Sequence, residues 1–116
     1  MSVIMYGISN CDTIKKAKKW LEAQQISYSF HDFRKQGIDE DMVTTFCNQL
    51  GWESVLNKRG TTYRQLSQEQ KDEINGTSVV KLLVEYPAMI KRPVLCIDGK
   101  YHIGFKPEQY AKLFSE

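Results

Sequence analysis

Cys11, Cys47 and Cys96 are the side chains of this 116-residue chain best suited to nucleophilic and redox chemistry, because a thiol becomes a strong nucleophile once it loses its proton. They are odd in number and far apart, so no disulfide framework is expected. Their surroundings separate them. Cys11 follows Gly7, Ser9 and Asn10, at the junction between a short apolar run and an amphipathic one. A sulfur at such a junction faces the unpaired N–H groups of a helix's first turn, and these favour the thiolate. An unperturbed thiol has a pKa of about 8.5, and helix N-termini with nearby cations bring it to roughly 3.5 to 7.5. Asp12 opposes this effect unless its carboxylate turns away to cap the helix. Residue 14 is isoleucine, so no C-x-x-C dithiol exists and any resolving thiol must come from elsewhere. Cys47 lies on an apolar helical stripe and Cys96 in an apolar strand, where cysteine usually serves as a small hydrophobe.

The elements that would position Cys11 are legible in the hydrophobic pattern. Val3 to Tyr6 is a β-branched apolar run bounded by Gly7, which predicts a buried strand. Ile14, Ala17, Trp20 and Leu21 recur at helical spacing from Asp12 to about Gln24 or Gln25. Ile26 to Phe33 alternates with period two and predicts a second strand. The acidic Asp39-Glu40-Asp41 opens a helix whose stripe, Met42, Val43, Phe46, Cys47 and Leu50, stops at Gly51. Trp52 to Leu56 suits a short helix, and residues 57–63 read as a loop. Helices are expected near Ser67 and from Thr77 to before Pro87. Pro93 to Asp98 and Tyr101 to Phe105, joined at Asp98-Gly99-Lys100, form a hairpin signature, and Pro107 to Phe114 closes with a helix. The order is β-α-β, a helical insertion at about 38–90, then β-β-α, which is the thioredoxin arrangement. The expected fold is α/β, with one mixed four-stranded sheet in a single domain spanning residues 1–116.

Composition narrows the function classes. With 41% hydrophobic and 26% charged residues the chain is ordinary globular material. Its net charge of +2 is too small to suggest nucleic-acid binding by bulk electrostatics. No apolar stretch approaches a membrane span, and the start lacks the pattern of a secretory signal, so the expectation is a cytoplasmic monomer without membrane association. His31 and His102 lack partners at metal-ligand spacing, and no Gly-rich phosphate loop is present, so neither a metal nor a bound cofactor is expected. The Lys15, Lys16, Lys18, Lys19 run reads first as a solvated helix face, although it could draw an anion toward Cys11.

Asn10-Cys11-Asp12-Thr13-Ile14-Lys15-Lys16-Ala17, Asn57-Lys58-Arg59-Gly60-Thr61, Lys91-Arg92-Pro93-Val94 and Gly104-Phe105-Lys106-Pro107-Glu108 together resemble the ArsC/Spx family, most closely its small arsenate-reductase-like bacterial proteins thought to be glutathione-dependent thiol reductases. The resemblance implies a thioredoxin fold, Cys11 as nucleophile, and Arg59 and Arg92 as oxyanion or carboxylate binders. Planar guanidinium forks suit that task. It also implies a cis bond before Pro93, and a substrate or glutathione site drawn from Asn10, Asp12, Thr13, Lys15, Arg59, Arg92, Pro93 and Lys106. The implied partners are glutathione as co-substrate or a glutaredoxin-like reductant, together with a disulfide or oxyanion substrate. Arsenate reductases of the family carry arginine where this chain has Lys106, histidine where it has Gly7 and serine where it has Ile14. Those differences favour a thiol or mixed-disulfide substrate over arsenate. The Spx branch implies an alternative, a redox-linked regulator that binds RNA polymerase, but its C-x-x-C switch is absent here.

Overall fold

Strand β1, Val3–Gly7, buries alternate residues, and its Val3 and Met5 face the helix that follows it in sequence. That helix, α1 (Asp12–Ala23), presents Ile14, Ala17 and Leu21 to the same core. The computed structural model describes residues 1–115, which fall into two compact units. The first unit joins Met1–Asp32 to the segment from Arg92 onward, and the second is Phe33–Lys91.

In the first unit β1 is one of the two inner strands of a four-stranded sheet ordered β2-β1-β3-β4, where β2 is Ser29–Asp32, β3 is Val94–Ile97 and β4 is Lys100–Ile103. β1 pairs in parallel with β2, which puts Gly7 opposite Asp32, and antiparallel with β3, which puts Tyr6 opposite Val94. The βαβ crossover gives the parallel pair and the hairpin gives the antiparallel one, so the sheet is the mixed, thioredoxin-like α/β sheet expected from element order. The hairpin turns through Asp98 (φ 49) and Gly99 (φ 83), the two positive-φ positions that a tight hairpin turn requires. The final helix α7, Pro107–Leu113, adds Tyr110 to the core, where Phe105 and Trp20 meet its ring edge-on at 4.7 and 5.6 Å. The Tyr110 hydroxyl is buried without a hydrogen-bond partner among the described residues, so this side chain serves the core by its ring.

The second strand begins three residues later than the alternation predicts. Gln25 takes φ 59, and the N–H groups of Gln25 and Ile26 donate to the carbonyls of Glu22 and Leu21, each at 3.0 Å. These bonds close the end of α1 and hold Ile26 out of the sheet.

The second unit is helical: α2 (Glu40–Leu50), α3 (Trp52–Val55), α4 (Thr61–Arg64), α5 (Gln68–Asp72), α6 (Ser78–Glu85) and a 3₁₀ turn at Pro87–Met89. Asp39 caps α2 by accepting the Met42 N–H at 2.8 Å, and Ser67 and Gln70 form a reciprocal capping box on α5. One expectation is corrected: residues 57–63 do not form a continuous loop, because α4 starts at Thr61. At the start of α6, Asn75 Oδ1 accepts the N–H groups of Thr77 and Ser78, each at 2.9 Å. Lys91 and Asn57 close the unit's base, with the Lys91 N–H on the Val55 carbonyl and the Asn57 N–H on the Met89 carbonyl, each at 2.8 Å.

Candidate active site

Cys11 is the N-cap residue of α1, with extended backbone (φ −145, ψ 128) and its carbonyl accepting the Lys15 N–H at 3.0 Å. The side chain is half-buried against the core beneath the helix. Burial alone would push the thiol's pKa up. The N–H of Ile14, the hydrogen bond and charge of Arg92, and the N–H of Thr13 outweigh it, and the Cys11 thiol lies below its ordinary value. The sulfur closes no strict capping hydrogen bond; the first-turn amides act on its charge by their direction.

Arg92 reaches the sulfur from two residues before β3, and the bond between it and Pro93 is cis. Pro93 is buried, and its carbonyl accepts the Gly104 N–H at 2.9 Å. That bond draws the segment leading to Lys106 against Pro93. Lys106 itself is the exposed N-cap residue of α7. Asn10, Asp12 and Lys15 are exposed around the thiol, and Thr13 is half-buried above it. Arg59 belongs to the second unit, exposed on a turn where Asn57 Oδ1 accepts its N–H at 3.1 Å. The structure thus brings Arg92, Thr13 and Ile14 onto the Cys11 sulfur, while Arg59 is held in place by its own loop.

Two supports of the thiol were not apparent in the sequence pattern. Asp32, only 3% exposed, ends β2 and accepts the Ser9 N–H through Oδ2 at 3.2 Å, bracing the loop that delivers Cys11. Its signal was present in the alternation: Tyr28 and Phe30 have the same parity as Asp32, so an acid falls where an inward apolar residue is due. The second support is the fit of Gly7 against Ile14. A Cβ at Gly7 would collide with Ile14 Cδ1, so position 7 is side-chain-free because Ile14 fills the space beside it.

The other thiols have different surroundings. Burial pushes the half-buried Cys47 thiol up, and Cys96 is 7% exposed within β3. Among the described residues no group of three His, Cys, Asp or Glu side chains could hold a metal ion, and no helix is long and apolar enough to cross a membrane.

Solved and curated proteins are similar along nearly the whole chain, among them the following three. The structure of the protein YFFB (PA3664) is 42% identical with a TM-score of 0.91, covering 96% of this chain and 97% of that one. An arsenate reductase (ArsC) related protein from Brucella melitensis is 46% identical with a TM-score of 0.81, covering 100% of this chain and 97% of the other. The regulatory protein MgsR of Bacillus subtilis is 30% identical over 111 residues, 93% of this chain and 86% of its own. The profile of the ArsC family matches residues 6–113, from the end of the first strand through the last helix, and the chain belongs to that family.

Proposed function

We propose that the chain is a monothiol reductase in which Cys11 reduces a disulfide or glutathionylated thiol and glutathione restores it. The observation that carries this reading is the arrangement around one sulfur: the Cys11 thiol sits at the start of α1, lowered by the Ile14 and Thr13 amides and by Arg92. The Cys11 thiolate attacks the glutathione sulfur of a mixed disulfide R–S–S–G. A Cys11–glutathione disulfide forms and the R thiolate leaves to take a proton. A second glutathione thiolate attacks that bond, releasing glutathione disulfide and the Cys11 thiolate. Net, R–S–S–G and one glutathione thiol give R–SH and glutathione disulfide: the R sulfur gains the electron that the entering glutathione sulfur loses, and its proton passes to the R thiolate. Arg92 stabilises the thiolate as nucleophile and again as leaving group, and Lys106 offers a charge for a glutathione carboxylate.

The test uses a glutathionylated peptide and glutathione coupled to disulfide turnover, with intact-mass analysis of the protein. Turnover together with an adduct of one glutathione on the wild type, both lost in Cys11→Ser, supports the reading. Wild type that neither turns over the peptide nor forms the adduct defeats it.

A regulatory reading is favoured by one observation, the 30% identity to the regulatory protein MgsR over most of both chains. On that reading Cys11 would sense rather than catalyse, and RNA polymerase would be the partner. Recovery of polymerase subunits on immobilised protein, in a chain without peptide turnover, would favour it. An oxyanion reductase would require Lys106 to do the work of an arginine, and arsenate turnover gained by Lys106→Arg would be its sign.

A further inference from the structure

The first unit contains a hollow of about 490 Å³ that lies away from the thiol. Its apolar lining comes from Met1, Ile97 and Leu113, and its polar lining from Lys100, His102, Lys112 and Asp98. Ile97 pairs with Val3 on one side and with Lys100 on the other, which places the hollow at the end of the sheet where β1 begins. Cys11 follows the opposite end. The five residues of β1 separate the two ends by roughly 13 Å at about 3.3 Å per residue, and no described residue lines both places.

The volume falls in the range of small-molecule sites, about 300 to 1,000 Å³. The lining is selective by charge. Lys100 and Lys112 are exposed ammonium groups on β4 and α7. Among the described residues that line the hollow, the one carboxylate is Asp98, whose Oδ1 accepts the Ser2 N–H at 2.7 Å. Burial first and the Lys100 charge second hold the His102 imidazole below its ordinary pKa, so it lines the hollow as a neutral hydrogen-bonding group near pH 7. An apolar lining beside two lysine ammonium groups fits a ligand with an apolar body and an anionic head. A bare inorganic anion would leave the Met1, Ile97 and Leu113 surface wet. A neutral lipid-like molecule would bring no charge to either ammonium group.

We propose that this hollow binds a small organic acid, an apolar body carrying one anionic head group, at a site separate from Cys11. Sodium octanoate is the probe, with 1-octanol and inorganic phosphate as the apolar and ionic halves of it. NMR of the full chain follows the His102 ring and the Leu113 and Ile97 methyl groups, and Cys11 alkylation is measured in parallel.

The expected result is a saturable shift of all three with octanoate at millimolar concentration, at least tenfold weaker binding of either half-probe, and a rise in the His102 titration midpoint. An anion beside the ring favours the imidazolium. Lys112→Gln, a solvent-exposed change on α7, should weaken octanoate severalfold, as expected for one exposed charge pair, and leave Cys11 alkylation unchanged. Octanol binding as tightly as octanoate would overturn the proposal, as would phosphate doing so, or no saturable shift at His102. Octanoate that slows Cys11 alkylation in step with its binding would overturn the separation of the two sites.

Discussion

At Cys11 two physical effects of opposite sign meet on one atom. Partial burial favours the neutral thiol, while two helix-start amides and the Arg92 guanidinium favour the anion, and the anion wins. Removing Arg92 deletes both a hydrogen bond and a charge from the winning side. In Arg92→Ala the pH midpoint of Cys11 alkylation by iodoacetamide should therefore move up, and the rate at pH 7 should fall severalfold. Arg92→Lys should lie between, because it keeps the charge and loses the fork. Cys47, pushed up by burial alone, should react more slowly than Cys11 in the wild type. The same shift has a stability sign. Folding lowers the thiol's pKa, so the ionised group stabilises the fold above its unfolded value, and this is lost as pH falls through the folded value. The stability gap between wild type and Cys11→Ser should accordingly widen from acid to mildly alkaline pH in denaturant titrations. The sequence made Cys11 legible because its position between strand and helix is a matter of spacing. Asp32 was not read as a support because an acid at a strand end looks like a solvated terminus until its parity with Phe30 is counted.

Between β1 and α1 the spacing is set by Gly7 and Ile14 together. A methyl group at position 7 meets Ile14 Cδ1, so Gly7→Ala must displace either the helix or the isoleucine rotamer. Overpacking of this kind costs about 1 to 3 kcal/mol. Ile14→Val removes the obstructing carbon and alone costs about 0.5 to 1.5 kcal/mol. The double variant should therefore lose less stability than the sum of the singles, a coupling measurable by urea unfolding. If the two losses simply add, the contact does not set the spacing. Element existence was legible wherever the period was long, as in α1 and α2. Element edges were not, because they depend on bonds that periodicity does not register. Gln25 and Ile26 prolong the end of α1 through backbone bonds, the Asn75 side chain takes up the first N–H groups of α6, and α4 is a four-residue helix with no apolar repeat to announce it.

The first unit is assembled from both parts of the chain, and the sheet pairing of β1 with β3 spans the whole of Phe33–Lys91. Closing a loop costs more as it lengthens, but only by about 0.6 kcal/mol per doubling. A flexible ten-residue Gly/Ser insertion after the exposed Gly37 should therefore lower stability by well under about 1 kcal/mol. Leu95→Ala, in the buried centre of β3, should cost about 2 to 5 kcal/mol. Thermal unfolding of the two variants side by side checks this ordering. The strand and helix order behind the sheet was readable in sequence. The insertion at about 38–90, which leaves the sheet to both chain ends, was readable too; the edges of the two units, at Phe33 and Lys91, were not, because hydrophobic spacing reports faces and not where one compact unit yields to the next. Ser2 is tied to the hairpin turn in both directions, its N–H on Asp98 Oδ1 at 2.7 Å and its carbonyl on the Asp98 N–H at 2.8 Å. Lys112 and Leu113, near the end of α7, line the hollow beside that turn. A tag or surface tether fused ahead of Met1 would thus emerge beside the hollow, leaving Cys11 facing the solution and crowding any ligand at the other end.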